Sequence, residues 1–197
     1  MDPSDTASRY DDIAQWWQEN TRPTYGMSAL ERALRFSKNT GVALDVGCGS
    51  HGRFIRRLRE YGFRVEGMDV SKEMIKLAEN RDSQATYYVA DISLWELPSK
   101  YDFISAWDST FHLPLDRQEP VTRKLCAGLV SGGVFIFTCG GGDWGEISGE
   151  FRGHDFDYST LGVEEFVRII SDCGCFCRHV EYDQYPETHV VVIVQKK

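Results

Sequence analysis

Short apolar runs alternate along this chain with longer stretches whose apolar side chains recur at the spacing of one helix face. The runs at 42–46, 64–69, 86–89, 101–107 and 134–138 predict strands. The stretches at 53–61, 72–79 and 117–129 predict helices, each followed by a glycine or polar break. Strand then helix, repeated, predicts a parallel sheet covered on both faces. The pattern changes after residue 140. A Gly-rich stretch runs from Gly140 to Gly149, with the glycines of 140–142 read as a mobile loop; a helix is predicted over 163–171, and strands over 177–181 and 189–195 follow. Only a short turn around Pro186 separates that last pair, too little chain for a parallel crossover, so the two should pair antiparallel. Ahead of the sheet, Ile13, Ala14, Trp16 and Trp17 form an apolar helix face, Pro23 interrupts it, and Ser28 opens a second helix through Leu34.

With 197 residues and 42% hydrophobic content, the chain has the size of one compact α/β domain. Residues 1–40 are read as a helical lid segment and 41–197 as the main domain. A net charge of −8 leaves no basic field to hold a polyanion, which argues against a nucleic-acid partner. The first ten residues are polar and acidic, and no stretch has the apolar length to cross a bilayer, so a soluble, cytoplasmic protein without a membrane partner is expected, as monomer or homodimer. Six cysteines occur without a small secreted framework, which predicts reduced thiols. Cys173, Cys175 and Cys177 have no companion ligands at zinc-like spacing, so they read as buried thiols at a helix-to-strand junction and no metal is expected.

The first predicted strand runs into Leu44-Asp45-Val46-Gly47-Cys48-Gly49-Ser50-His51-Gly52. Glycines there let backbone N–H groups approach a ligand, and the turn opens a helix. Some twenty residues on, the second strand ends in Asp69, an acid able to accept hydrogen bonds from the paired hydroxyls of a ribose. To this are added Gly67-Met68-Asp69-Val70-Ser71-Lys72-Glu73-Met74, Val89-Ala90-Asp91-Ile92 after strand three, and Tyr101-Asp102-Phe103-Ile104 in strand four.

In these four blocks, in this order, the chain resembles the class I S-adenosylmethionine-dependent methyltransferases, of the small-molecule type related to the ubiquinone-biosynthesis methyltransferases. The resemblance implies a Rossmann-like α/β fold: a seven-stranded, mostly parallel sheet with an antiparallel last strand and helices on both faces. It further implies that Gly47, Cys48 and Gly49 line the amino-acid end of S-adenosylmethionine through backbone atoms, that Asp45 belongs to the cofactor site, and that Asp69 holds the ribose. Val70 and Ile92 would sandwich the adenine, Asp91 would accept from its amino group, Met74 would close one side, and Trp107 would sit near the methionine moiety. One departure stands out. The third glycine, Gly52, falls one residue later than in the common family form, as in a nicotinamide-binding turn. An NAD-dependent oxidoreductase is therefore the rival enzyme reading, and a non-catalytic S-adenosylmethionine-binding regulator is the alternative outside catalysis.

Methyl transfer needs a nucleophile aligned with the methyl carbon and water kept out; an acceptor that loses a proton also needs a base within reach. Loops at the carboxyl ends of strands line the ligand crevice, which makes His112 and Asp108, just past strand four, the catalytic candidates. Each has an ordinary structural reading, His112 as a loop-bonding imidazole and Asp108 as a turn cap. The N-terminal segment offers Tyr10, Trp17, Arg22 and Tyr25 as a lid, with Arg22 facing the cofactor carboxylate. The second wall for a small-molecule acceptor on oxygen, nitrogen or sulfur is placed in 140–158, where Trp144, Phe151, His154, Phe156 and Tyr158 are interspersed with glycines and acids. His179 and His189 are read as strand residues without a role.

Overall fold

A computed structural model describes residues 2–143 and 145–197. Trp144, which the sequence offers as part of an aromatic wall, lies outside them. Among the described residues the chain forms six α-helices and nine strands. They run α1 (Pro3–Asn20), α2 (Met27–Leu34), β1 (Val42–Val46), α3 (Arg53–Tyr61), β2 (Arg64–Asp69), α4 (Lys72–Arg81), β3 (Thr86–Val89), β4 (Tyr101–Ala106), α5 (Leu115–Gly128), β5 (Leu129–Gly140), β6 (Gly145–Phe151), β7 (His154–Thr160), α6 (Val163–Asp172), β8 (Cys175–Glu181) and β9 (His189–Lys196).

Seven strands form one sheet in the order β3-β2-β1-β4-β5-β9-β8. Pairing is parallel from β3 to β5, and β9 enters antiparallel between β5 and β8. The expected seven-stranded, mostly parallel sheet with an antiparallel last strand is therefore the observed architecture. Successive side chains of a strand point to opposite faces. Leu44 and Val46 accordingly join the core under α5 and α6, with Leu125, Phe166 and Ile170, while Ala43 joins the core under α2 and α3, with Leu30, Leu34, Ile55 and Leu58. Because both faces are covered, the central strands carry near-continuous apolar runs: Val190 to Val194 of β9 are wholly buried.

Helix starts follow local chemistry. Asp2 accepts from Ser4 N and Pro3 sits in the first turn of α1; Ser71 accepts from Met74 N at the start of α4. Asp11 of α1 reinforces that second cap, accepting from Ser71 Oγ (2.7 Å) and Glu73 N (3.0 Å), which ties the N-terminal helix across the ends of the strands. Of the segment up to residue 40, α1 and the link that follows it border the cavity described below, and α2 packs into the core.

Residues 141–143 lie outside any strand, but the aromatic-rich region beyond them departs from its reading as a loop. β5 continues to Gly140, paired with His189, and residues 145–160 form a hairpin, β6–β7, beside the main sheet. Its turn is Arg152-Gly153, with φ of 56° and 80°, the two left-handed residues that a tight hairpin of matching twist requires. The cysteine reading is corrected in one place: Cys175 is buried and Cys173 half-buried, but Cys177 is exposed, because β8 is the edge strand.

Candidate functional site

A cavity of about 440 Å³ opens at the carboxyl ends of β1, β2 and β4, beneath α1, within the size range of small-molecule sites. Its wall includes Arg22, Tyr25, Gly47, Cys48, Gly49, Asp69, Val70, Met74, Asp91, Ile92, Trp107, Asp108 and His112. Of the residues assigned to the cofactor or to catalysis, Asp45 is the one off the wall, and of the aromatic wall expected in 140–158, Phe151 lines the cavity while His154, Phe156 and Tyr158 do not. Asp45 is buried in β1, and its Oδ1 accepts from Ser105 Oγ at 2.6 Å. Burial pushes its carboxyl up to about 6, against the pull of that hydrogen bond and of Arg53.

The glycine turn is held by strand β2, whose Met68 carbonyl accepts from Gly47 N and Cys48 N. Gly47, Gly49 and Gly52 all have left-handed φ, of 68°, 56° and 64°. The residue that makes this turn longer than the common form is accommodated under α1: Ser50 Oγ donates to the Ala14 carbonyl, and the Gln18 amide reaches the Ser50 carbonyl. His51 is buried beside it, and burial, with Arg81, Arg56 and Arg53 nearby, holds its imidazole down at about 4. At Gly47 there is no room for a side chain, since an added Cβ would stand 2.3 Å from Ser109 Cβ. Gly47→Ala is therefore expected to cost about 1–2 kcal/mol for the left-handed backbone alone, with further loss from displacing Ser109. Thermal melts and cofactor titration would both register it.

Asp69 closes β2 with its Oδ2 accepting from Gly49 N and its Oδ1 from Ser71 N, both at 2.9 Å. Burial raises its carboxyl against those backbone bonds. Asp91 is anchored by Ser93, whose N and Oγ donate to its two oxygens at 2.8 Å each. A carboxylate has about four acceptor positions, so both acids keep lone pairs for a ligand.

At the other end, Tyr10 of α1 meets His112 in the turn after β4, with Oη 2.8 Å from Nε2. The His112 Nδ1 lies 3.1 Å from the Asp157 carbonyl of β7. A carbonyl only accepts, so Nδ1 carries the proton and Nε2 accepts from the Tyr10 hydroxyl. Phe111, Phe156 and Tyr158 enclose the imidazole, and burial pulls it down to about 4 despite the Asp157 carbonyl and the Asp108 charge. Phe151 stacks edge-on to Trp16 and Trp17, which places the aromatics of the hairpin against those of α1. His154 instead faces Asp12 at 3.9 Å, away from the residues lining the cavity.

The sequence reading missed two groups. Arg53, the first residue of α3, lines the cavity and donates from Nε to the Tyr25 carbonyl at 2.8 Å. Its signal was available: a cation in the first turn of a helix opposes the macrodipole and so asks for another reason to be there. The second is His189, bonded to Asp108 and Asp183. No local pattern marks it: Asp183 lies only six positions away, but Asp108 is 81 positions distant and meets it only in the fold.

A family model described as a methyltransferase domain matches residues 43–133. The chain is 26% identical over 196 residues to a ubiquinone biosynthesis O-methyltransferase of Coxiella burnetii, covering 92% of this chain and 79% of that protein. It is 28% identical over 139 residues to phosphoethanolamine N-methyltransferase 2 of Caenorhabditis elegans, a match that takes in 66% of this chain and only 31% of that longer protein. Over residues 43–133 the chain therefore carries a methyltransferase domain. Among solved structures, the fold is shared with the magnesium protoporphyrin IX methyltransferase of Synechocystis with bound S-adenosylhomocysteine (TM-score 0.75, 15% identity, both chains fully covered). It is also shared with an S-adenosylmethionine-dependent methyltransferase of Clostridium acetobutylicum (TM-score 0.72, 15% identity, 97% of each chain). These similarities are to methyltransferases and lend the nicotinamide reading of the longer glycine turn no support.

The site fits the family's cofactor on its own geometry. A Cβ added at Gly49 would meet nothing nearer than the Trp17 indole nitrogen at 3.8 Å, so the turn presents bare backbone to open space. Ser109 Oγ, on the cavity wall, is buried with no hydrogen-bond partner among the described residues, as expected of a group that a ligand satisfies. Among the described residues no helix is long and apolar enough to cross a membrane, and no group of metal-ligating side chains occurs.

Proposed function

We propose that this methyltransferase alkylates an ionisable O–H or N–H of a small planar acceptor, with Tyr10 and His112 relaying the departing proton. The pairing of Tyr10 Oη with the free-electron-pair nitrogen of a buried, neutral His112 at the cavity wall carries this reading. S-adenosylmethionine supplies a sulfonium-activated methyl group. Asp69 would take the ribose hydroxyls, Asp91 the adenine amino group, and Val70, Ile92 and Met74 the ring faces. Gly47, Cys48 and Gly49 would lie along the amino-acid arm, with Trp107 and Tyr25 beside it and Arg22 and Arg53 opposite its carboxylate. Asp45 would act from below the turn, through the charge it holds near Arg53.

α1 is the lid of this reading. It would exclude water from the methyl and present Trp16, Trp17 and, with the hairpin, Phe151 as walls for a flat acceptor. Proton loss is then synchronous with methylation: as the acceptor atom gains its new bond it becomes strongly acidic, its proton passes to Tyr10 Oη, and the Tyr10 proton moves to His112 Nε2. A base held near 4 is strong enough for such a proton, and Asp108 and the Asp157 carbonyl stabilise the imidazolium formed. Asp108 accepts from Tyr25, Thr138 and His189, so we assign it positioning rather than proton abstraction.

The net charge of −8 favours a small-molecule acceptor over nucleic acid, and six cysteines outside any secreted framework favour the cytoplasm. The test is turnover of S-adenosylmethionine against a panel of phenols, aromatic N-heterocycles, thiols and aliphatic amines, followed by release of S-adenosylhomocysteine. Phenols or N-heterocycles should be turned over. Turnover confined to thiols would contradict the relay, because a thiolate needs no base, and no turnover with tight cofactor binding would favour a regulatory protein.

A further inference from the structure

Asp108 has a φ of 50°, left-handed backbone that a non-glycine residue adopts only when its surroundings impose it. Its N–H donates to Thr138 Oγ1 at 2.8 Å, and its carboxylate is gripped from two sides. Tyr25, in the link between α1 and α2, donates to Oδ2 at 2.8 Å, and His189, the first residue of β9, lies with Nε2 2.8 Å from Oδ1. The other nitrogen of His189 lies 2.6 Å from Asp183 Oδ1, in the turn between β8 and β9. Carboxylates accept, so with both flanking acids ionised both ring nitrogens must donate, and the bridging ring is an imidazolium.

From this arrangement we infer that His189 is a positioning residue for cofactor binding: bridging Asp183 to Asp108, it clamps the turn after β4 and, through Tyr25, the link that borders the cavity. Two neighbours make the clamp matter to the ligand. Ser109, next to Asp108, is the residue in closest approach to Gly47, and Trp107, on its other side, packs at 5.7 Å between ring centroids against both Tyr25 and His189. The inference rests on the reading that the amino-acid arm of S-adenosylmethionine lies between the glycine turn, Trp107 and Tyr25.

The clamp is tied to the charge of the ring. Burial works to discharge His189, but the hydrogen bonds and charges of Asp108 and Asp183 outweigh it and raise the imidazole above its usual value. Asp108 and Asp183 face the ring; beyond Asp108 stand the Tyr25 hydroxyl, with Gln184 Nε2 3.0 Å from it, and Arg53 of α3. A neutral ring keeps one N–H, so on deprotonation a nitrogen lone pair faces one of the two carboxylates and one side of the clamp opens. Cofactor affinity is therefore full while His189 is protonated and falls as pH rises through its raised pKa.

The experiment is calorimetric titration of S-adenosylhomocysteine into wild type, His189→Ala and Asp183→Asn from neutral pH to about pH 10, each variant first checked by thermal melt. Wild type should bind at neutral pH and weaken along an alkaline limb. His189→Ala should bind about tenfold more weakly at neutral pH and show no such limb, the scale of one lost charge-assisted hydrogen bond. Asp183→Asn should lose the limb, because an amide can accept from the imidazolium or donate to the neutral ring. An alkaline limb unchanged in Asp183→Asn, or wild-type affinity in His189→Ala, overturns the inference and leaves the cofactor site standing. Failure of wild type itself to bind would instead remove the reading on which it rests.

Discussion

Replacing Asp69 by alanine should weaken S-adenosylhomocysteine binding by about 1.5–3 kcal/mol, roughly 10- to 150-fold, the value of hydrogen bonds made to a charged group. The substitution acts twice. It removes the free lone pairs offered to the ribose, and it strands the N–H groups of Gly49 and Ser71, which Asp69 now holds in place at 2.9 Å. Asp69→Asn should recover little of this, because its NH₂ would have to face one of those two N–H donors. The sign of the pH dependence follows from the same burial. With its carboxyl raised above the ordinary aspartate value, Asp69 loses its charge earlier as pH falls, so affinity should decline on the acid side sooner than for an exposed acid. Calorimetry on folded variants checks both points, and undiminished affinity in the alanine variant would remove Asp69 from the ribose.

The sheet was legible because its signals are local. In β1 and β2 the apolar run, the glycine that ends it and the acid that closes its neighbour are consecutive in the chain, and the observed bounds, Val42–Val46 and Arg64–Asp69, are the predicted ones. The antiparallel β9 was equally accessible, since a connection of a few residues around Pro186 permits no other pairing. The β6–β7 hairpin was not. Glycines at 145 and 149 and acids at 146 and 150 dilute its β-character, and the Arg152-Gly153 turn that betrays it lies within what reads as a loop. The site divides along the same line. Gly47, Asp69 and Asp91 lie within contiguous motifs, whereas Tyr10 with His112, and Asp108 with His189, are pairs separated by 102 and 81 positions that only the folded chain brings together. Asp45 belongs to neither group: it sits inside the most recognisable motif yet lies behind the wall, where its charge rather than its contact bears on the cavity.

His112→Ala should lower kcat by about 10²- to 10⁴-fold, the usual worth of a positioned proton acceptor, while leaving cofactor affinity near wild type. Loss of a base and loss of packing coincide in this variant, because the imidazole is wedged among Phe111, Phe156 and Tyr158 and its removal alone leaves a hole. Tyr10→Phe provides the separation. It keeps the ring that packs on Phe156 and deletes only the hydroxyl bonded to Nε2, so a relay predicts a comparable fall in kcat with little change in melting temperature. In the double variant the losses should not add, since either deletion already breaks the same proton path. The pH profile gives a third reading. The relay works with His112 unprotonated, and burial holds its pKa near about 4, so kcat/KM should stay level through neutrality and fall only as pH drops toward that value. An acid limb centred instead near the ordinary histidine value, or two single losses that multiply in the double variant, would mean that the proton leaves by another route and that the Tyr10–His112 pair serves the packing of α1 against the hairpin.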